Sequence, residues 1–151
     1  LRPGTENTAG IVGFGEACRI LIEQWKKDRD RIEKLAYRLK SGLEKKIKEI
    51  KFNGHPIKRI KSTLNFSFPG LAAEAILLAL ATAEIYVSTG SACSEGSGEI
   101  SHVLLAMGLS PEEASSAIRF SVGRFNTEED IEQALAEVPE IINGLRRTFA
   151  D

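Results

Sequence analysis

The chain has 151 residues, with 20 basic and 21 acidic side chains and 42% hydrophobic residues. This length suffices for one domain with a hydrophobic core and is short for two. The near-zero net charge gives no sign of a nucleic-acid partner or an acidic membrane surface, and no apolar run reaches the roughly 20 residues of a bilayer span.

A long helical segment is predicted over about residues 7–50. Residues 5–7 offer capping side chains. The apolar residues that then recur at helical spacing are Ile11, Val12, Ala17, Cys18, Leu21, Ile22 and Trp25. We expect this stripe, Cys18 included, to fill a core, and Gly10, Gly13 and Gly15 to mark a close helix contact or a kink. The densely charged stretch from Glu23 to Lys51 is typical of one amphipathic helix with a solvated face.

The rest of the chain alternates between strand-like and helical stretches. We predict a half-buried strand at 63–68, an apolar helix at 72–83 and a short buried strand at 85–88. A brief helix at 102–107 ended by Gly108 and an alternating strand at 117–123 follow. Thr127 then caps a final helix whose first turn is acidic. This order predicts the α/β class, with one small sheet packed with helices.

Thiols are few. Two cysteines, Cys18 and Cys93, favour a reducing compartment, and hence the cytoplasm, over a disulfide-stapled secreted fold. Two histidines, His55 and His102, add little toward a zinc site, and we assign no resident metal. The chain begins at Leu1 rather than at methionine, so we expect it to be a piece of a longer protein.

Cys93 lies in a loop rich in serine and glycine, between Thr89 and Glu99. A nucleophilic thiol must be accessible and partly ionised. About five residues on each side, at roughly 3.3–3.6 Å per residue, would let the sulfur travel about 15 Å. A thiol with this reach is better suited to moving between two sites than to forming a fixed catalytic dyad. From composition alone, an incidental exposed cysteine is an equally good interpretation.

Three other side chains are candidates for chemistry. Arg119 alternates with apolar neighbours on a strand, so its guanidinium is placed to grip a carboxylate, and a plain surface arginine is the alternative. His102 is a candidate base for Cys93, although a structural histidine at a helix start fits as well and no third group orients it. Thr5 either caps the first helix or donates to an anion together with that helix's first amides.

Three stretches, 1–17, 86–110 and 117–132, resemble the C-terminal part of cysteine desulfurases. These are pyridoxal-phosphate (PLP) enzymes of the aspartate-aminotransferase fold, or fold type I. The Ser-Ala-Cys loop and the Ile-Arg-Phe-Ser strand carry the resemblance, and the extended loop is similar to that of the iron–sulfur-assembly class. The resemblance implies that residues 1–151 form a single small C-terminal domain, preceded by the helical segment at about 7–50. It places the domain that holds the PLP lysine outside the chain.

The same resemblance implies residue roles. Cys93 is the nucleophile that takes sulfur from L-cysteine as a persulfide and leaves L-alanine. Arg119 binds the substrate carboxylate, and Thr5 reaches the PLP phosphate of the neighbouring subunit of a homodimer. An iron–sulfur scaffold or another acceptor protein receives the sulfur, and Cys93 is a candidate transient ligand of a cluster. Without the PLP lysine, the isolated chain is predicted to be inactive.

Two other functions stay open on the residues alone. One is a stand-alone sulfur-carrier or protein-interaction module that has the Cys93 loop without PLP chemistry. The other is a thiol hydrolase built on Cys93 and His102.

Overall fold

The computed structural model describes residues 4–89 and 100–148, and the chain divides into two compact units, Leu1–Arg31 and Ile32–Asp151. The helices of the described ranges are α1 (Thr8–Lys46), α2 (Ala73–Thr82), α3 (His102–Ala106), α4 (Pro111–Ser115) and α5 (Glu128–Thr148). The strands are β1 (Lys51–Asn53), β2 (Thr63–Ser67), β3 (Ser88–Thr89) and β4 (Ala117–Ser121). No helix in these ranges is both long and apolar enough to cross a membrane.

In the first unit, α1 begins behind an asparagine cap. The side-chain oxygen of Asn7 accepts a hydrogen bond from the backbone nitrogen of Gly10 at 3.0 Å, which satisfies one amide of the first turn. A methyl group added at Gly13 or Gly15 would meet no described atom within 4 Å. The predicted close helix contact at these glycines is therefore absent from the described residues, and α1 runs on without a break.

The apolar stripe of the first unit is exposed. Ile22 keeps 77% of its surface and Phe14 73%, and Cys18 is only half-buried. The expectation that this stripe fills a core is wrong for the described chain, because the first unit contains one helix and no second element to cover it. Helical periodicity predicts an apolar face, but it does not say which surface covers that face.

The second unit is built on an antiparallel sheet with strand order β1-β2-β4-β3. One face of the sheet is apolar, and Phe66, buried completely, lies at its centre. Its ring meets those of Phe52 and Phe120 edge-on, with centroids 5.3 and 6.3 Å apart. This face packs on the buried stripes of the second part of α1, of α2 and of α5, in one continuous core.

Helices α1 and α5 approach closely within this unit. A methyl group added at Gly42 would lie 2.4 Å from Cδ2 of Leu135, so the glycine permits the contact. Arg38 of α1 pairs with Glu128 and Glu132 of α5 at the surface. The predicted α/β class with one small sheet is confirmed.

Several boundaries differ from the sequence prediction, and the differences at β1 and β3 change the sheet most. Helix α1 ends at Lys46, and the chain then turns through Glu49, at φ 53°, into β1, a strand that the sequence did not predict. The strand expected at 85–88 is reduced to the two residues of β3. Ile85 and Val87 still pack against the core, so their apolar character reflects burial without ladder pairing.

Candidate functional site

The face of the sheet opposite the aromatic core carries a row of polar residues in register. Asn53 pairs with Asn65, Asn65 pairs with Arg119, and Arg119 pairs with Ser88, so the row crosses all four strands. Directly opposed residues of antiparallel strands have Cα atoms about 4.5–5.5 Å apart. Three long-range pairings therefore bring residues from four distant parts of the chain side by side.

A cleft of about 380 Å³ opens over this row. Arg119, Asn65, Asn53 and Thr63 line it from the strands. The other lining residues are Gly54, Arg59, Ile60, Ser101, Val103, Leu104 and Met107. No acidic side chain and no lysine occurs among these described lining residues, so the cleft combines two guanidinium groups, two amides and an apolar wall. This combination favours an anion with an apolar portion.

Arg119 is half-buried on β4, between the buried side chains of Ile118 and Phe120 that point to the opposite face. The alternation predicted from the sequence is confirmed for this strand. Arg119 also lines the cleft, and its predicted role as a carboxylate-binding residue stays a prediction. A guanidinium held on a strand in a partly desolvated cleft can form the paired hydrogen bonds that a carboxylate accepts.

Cys93 lies outside the described residues, but both ends of its segment are described. Ser88, directly opposite Arg119, belongs to β3, after which the segment begins. On the other side Ser101, which lines the cleft, caps α3 by accepting a hydrogen bond from the nitrogen of Leu104 at 3.5 Å. The described residues on the two sides of this segment are therefore Ser88, which faces Arg119 across the sheet, and Ser101, which lines the cleft.

Arg59 is a cleft residue that the sequence analysis missed. Its Nη1 donates to the backbone oxygens of Ile60 and Thr63, each at 3.1 Å, and its guanidinium carbon lies 4.9 Å from the centroid of the Phe52 ring. Its Nε is buried and has no hydrogen-bond partner among the described residues. No sequence signal marked it, since residues 54–62 read as a loop.

Helix α4 lies over the other end of the polar face and is firmly anchored there. Ser110 and Glu113 form a reciprocal cap, with hydrogen bonds of 3.1 and 3.0 Å. Glu113 also pairs with Lys51 of β1, and this ion pair, with the backbone amide of Ser110, lowers the pKa of its carboxyl. Ser67 of β2 donates to the backbone oxygen of Glu113 at 2.6 Å. Strands and helix are thus joined beside the cleft.

The remaining predicted residues lie apart from this cleft. His102 is the exposed first residue of α3 and is not among the lining residues. Thr5 belongs to the first unit and is exposed, and Asn7 rather than Thr5 caps α1. Lys61 is occupied at the surface, where its Nζ donates to Glu33 at 2.8 Å.

Residues 1–134 match the family model described as aminotransferase class-V. The chain belongs to the aminotransferase class-V family. Among curated proteins it is similar to cysteine desulfurase IscS 1 of Archaeoglobus fulgidus, with 42% identity over 97% of this chain and 38% of that protein. It is also similar to cysteine desulfurase IscS of Clostridium botulinum, with 44% identity over 96% of this chain and 37% of that protein.

A solved structure gives the same result for the fold of this class-V chain. The NifS-like protein of Rickettsia africae superposes with a TM-score of 0.81 at 33% identity, over 94% of this chain and 36% of that one. The predicted resemblance to cysteine desulfurases is therefore confirmed. The chain spans somewhat more than a third of the length of these relatives.

Membership of the class-V family implies PLP as the cofactor. The described residues can be compared with the two ends of this cofactor, its point of covalent attachment and its phosphate. None of the lining residues of the cleft is a lysine that could hold the cofactor. Thr5 is exposed ahead of α1, beside Gly4 at φ 133°, so its hydroxyl is accessible to a phosphate. The contact of Thr5 with the phosphate of PLP stays a prediction, and the described lining residues of the cleft offer no lysine for covalent attachment of the cofactor.

Proposed function

We propose that this chain is the C-terminal part of a PLP-dependent cysteine desulfurase, which converts L-cysteine to L-alanine and carries the sulfur as a persulfide on Cys93. The observation that carries the proposal is the register of the sheet. Arg119, whose guanidinium can bind a carboxylate, lies directly opposite Ser88 of β3. The loop that carries Cys93 begins after this strand. The relatives named cysteine desulfurase support the same reaction.

In this proposal Arg119 holds the carboxylate of L-cysteine and thereby fixes the direction of its side chain. Ser88 lies directly opposite Arg119, and Cys93 follows it by five residues, which span at most about 18 Å of extended chain. A connection of this length permits the Cys93 thiol to reach a substrate held at Arg119. Val103, Leu104 and Met107 form an apolar wall on one side of the cleft.

The transfer step balances without another reactant. The Cys93 thiolate attacks the sulfur of L-cysteine, a sulfur–sulfur bond forms and the substrate's carbon–sulfur bond breaks. The electron pair of the broken bond stays on the substrate carbon, which takes up a proton and becomes the methyl group of L-alanine. PLP, when bound, supplies the electron sink for the substrate carbon. Cys93 keeps the sulfur as a persulfide for an acceptor.

The rest of the assembly belongs to the proposal. Residues 1–151 form one small C-terminal domain together with the long helix α1 (Thr8–Lys46), and the PLP lysine lies in a part of the protein outside this chain. Thr5 contacts the PLP phosphate of the partner subunit in a homodimer. The sulfur acceptor is an iron–sulfur scaffold or another carrier protein, and the enzyme works in the cytoplasm, where Cys93 stays reduced.

The test uses the complete protein with bound PLP. Alanine formation from L-cysteine is measured by amino-acid analysis, and persulfide on Cys93 by mass spectrometry of the labelled peptide. We expect Cys93→Ser to abolish the persulfide, and Cys18→Ser, which changes the other cysteine, to leave it intact. Persulfide formation at the wild-type rate in Cys93→Ser would refute the assignment of the nucleophile.

Arg119 is tested against a neighbouring arginine. Arg119→Ala should weaken L-cysteine binding by a few kcal/mol, the range for losing a charged hydrogen-bond partner. Arg124→Ala is the control, since Arg124 follows the same strand, lies over the ring of Phe125 and does not line the cleft. If the two variants bind L-cysteine with equal affinity, Arg119 does not bind the substrate carboxylate.

The isolated chain separates the enzyme from the alternative of a stand-alone sulfur carrier. Mixed with PLP and L-cysteine, the 151-residue chain should form no alanine, because its cleft contains no lysine among the described lining residues. A carrier would instead accept persulfide from a donor enzyme without PLP. Alanine formation by the isolated chain would contradict the division of the active site proposed here.

A further inference from the structure

A chain of hydrogen bonds starts at Glu113 of α4, passes through Ser67 and Asn53, and ends at Asn65, which lines the cleft. Ser67 Oγ lies 2.6 Å from the backbone oxygen of Glu113, and Asn53 Nδ2 lies 2.8 Å from Ser67 Oγ. The same Asn53 Nδ2 lies 2.7 Å from Asn65 Oδ1. Asn53 is 6% exposed, so the chain runs through the interior of the unit.

The direction of this chain is fixed at one end. A backbone carbonyl can only accept, so Ser67 must give its single hydroxyl proton to Glu113. The Ser67 oxygen is then an acceptor for Asn53, which must therefore present its NH₂ group to it. Since the second proton of this NH₂ group goes to Asn65, the Asn65 atom that meets it must be the carbonyl oxygen.

The consequence is that Asn65 offers its NH₂ group as the donor that remains for a ligand. Asn65 lines the cleft beside Arg119 and is its directly opposed neighbour on the sheet. A carboxylate has two oxygens and about four acceptor positions, more than one arginine fork uses. The cleft has no acidic lining residue among those described to compete for this donor.

We infer that Asn65 is a second recognition residue for the carboxylate of the amino-acid substrate, and that Asn53 is the residue that positions it. Asn65 Nδ2 donates to the carboxylate that Arg119 grips, and Asn53 holds the Asn65 amide in the orientation that presents this donor. The inference rests on the proposed function for the identity of the ligand, and it adds a binding residue from a different strand.

The test uses the complete PLP-loaded protein and a ligand that cannot transfer sulfur. L-Alanine, the proposed product, carries the carboxylate, whereas L-alaninamide replaces it with a neutral amide. Dissociation constants for both are measured by titration calorimetry. Asn65→Ala should weaken L-alanine binding roughly tenfold, the effect of losing one hydrogen bond to a charged group, and should leave alaninamide binding unchanged.

Asn65→Asp sharpens the test, because aspartate keeps the oxygen that accepts from Asn53 and replaces the donor with a negative charge. L-Alanine should bind more weakly to this variant than to Asn65→Ala, and alaninamide should not. Ser121→Ala is the matched control, since Ser121 follows Arg119 by two positions on β4, is exposed and does not line the cleft.

The positioning role of Asn53 has its own readout. Asn53→Ala should weaken L-alanine binding less than Asn65→Ala, and the double variant should bind no more weakly than Asn65→Ala alone, because Asn53 acts through Asn65. Additive losses would overturn the positioning role. Thermal melting of each variant identifies those that fold.

Failure of this inference differs from failure of the proposed function. The inference alone is overturned if the wild-type enzyme forms alanine and requires Arg119, but Asn65→Ala binds L-alanine with unchanged affinity. Equal losses for L-alanine and alaninamide in Asn65→Ala also overturn it, since the effect would not be specific to the carboxylate. A wild-type protein that forms no alanine from L-cysteine overturns both.

Discussion

Phe66 offers a direct test of what holds the sheet, and with it the polar row, in place. Its side chain is fully buried and contacts the rings of Phe52 and Phe120. Replacing a fully buried phenylalanine by alanine costs about 3–5 kcal/mol, a large part of the roughly 5–15 kcal/mol that stabilises a domain. If the free energy of unfolding falls by about 2 kcal/mol per molar urea, the unfolding midpoint of Phe66→Ala should lie about 1.5–2.5 M below that of the wild type. Phe66→Leu keeps most of the volume and loses the two ring contacts, so it should cost about 1–1.5 kcal/mol.

The measurement is urea unfolding of the 151-residue chain, followed by far-ultraviolet circular dichroism. Circular dichroism is used because the single tryptophan, Trp25, belongs to the first unit, whereas Phe66 belongs to the second. Phe125→Ala is the control, since Phe125 is 89% exposed and its replacement should change stability by no more than about 0.5 kcal/mol. If Phe66→Ala and Phe125→Ala unfold at the same urea concentration, the buried aromatic face is not the main source of stability.

Three further changes test contacts within the second unit. Gly42→Ala should destabilise the chain, because its new methyl group meets Leu135. In a Leu135→Ala background the same substitution should stabilise the chain by about 1 kcal/mol. The denaturant midpoints of the wild type, the two single variants and the double variant test both expectations. Arg38→Gln should lower the melting temperature at low ionic strength and less in molar salt, since its ion pairs are exposed; an equal loss in both would count against an electrostatic role. The lowered pKa of Glu113 gives stability that is present above the unfolded pKa and lost as pH falls through the folded one, so Glu113→Gln should flatten the acid side of the pH–stability profile. A profile that keeps the wild-type slope would show that the pair with Lys51 contributes nothing.

Local rules predicted the elements that are specified by neighbours in sequence. Thr127 precedes α5, where its hydroxyl accepts from the backbone nitrogen of Asp130 at 3.3 Å and the Asp130 carboxylate accepts from the backbone nitrogen of Thr127 at 3.0 Å. A cap of this kind is complete within four residues. The alternation around Arg119 is equally local, which is why its face could be predicted.

Features that depend on distant pairing could not be predicted in the same way. The strand β1 has three residues and exists because β2 pairs with it. Asn53 and Asn65 occupy the polar positions of their strands, and alternation alone assigns such positions to solvent. The register of the sheet makes them neighbours of Arg119. One local signal existed for Asn65. It stands between Leu64 and Phe66, which are buried, so alternation assigns it to the polar face of the sheet, where Arg119 also lies.

The two central strands also limit how this chain can change in evolution. One residue inserted into β4 between Ile118 and Arg119, with the pairing of the strand's first residues kept, would turn the arginine into the aromatic core and bring Phe120 to the cleft. A residue inserted into β2 before Asn65 would separate the two asparagines in the same way. Length variation among relatives should therefore concentrate in connections such as 54–62 and 123–127, while β2 and β4 keep a constant number of residues.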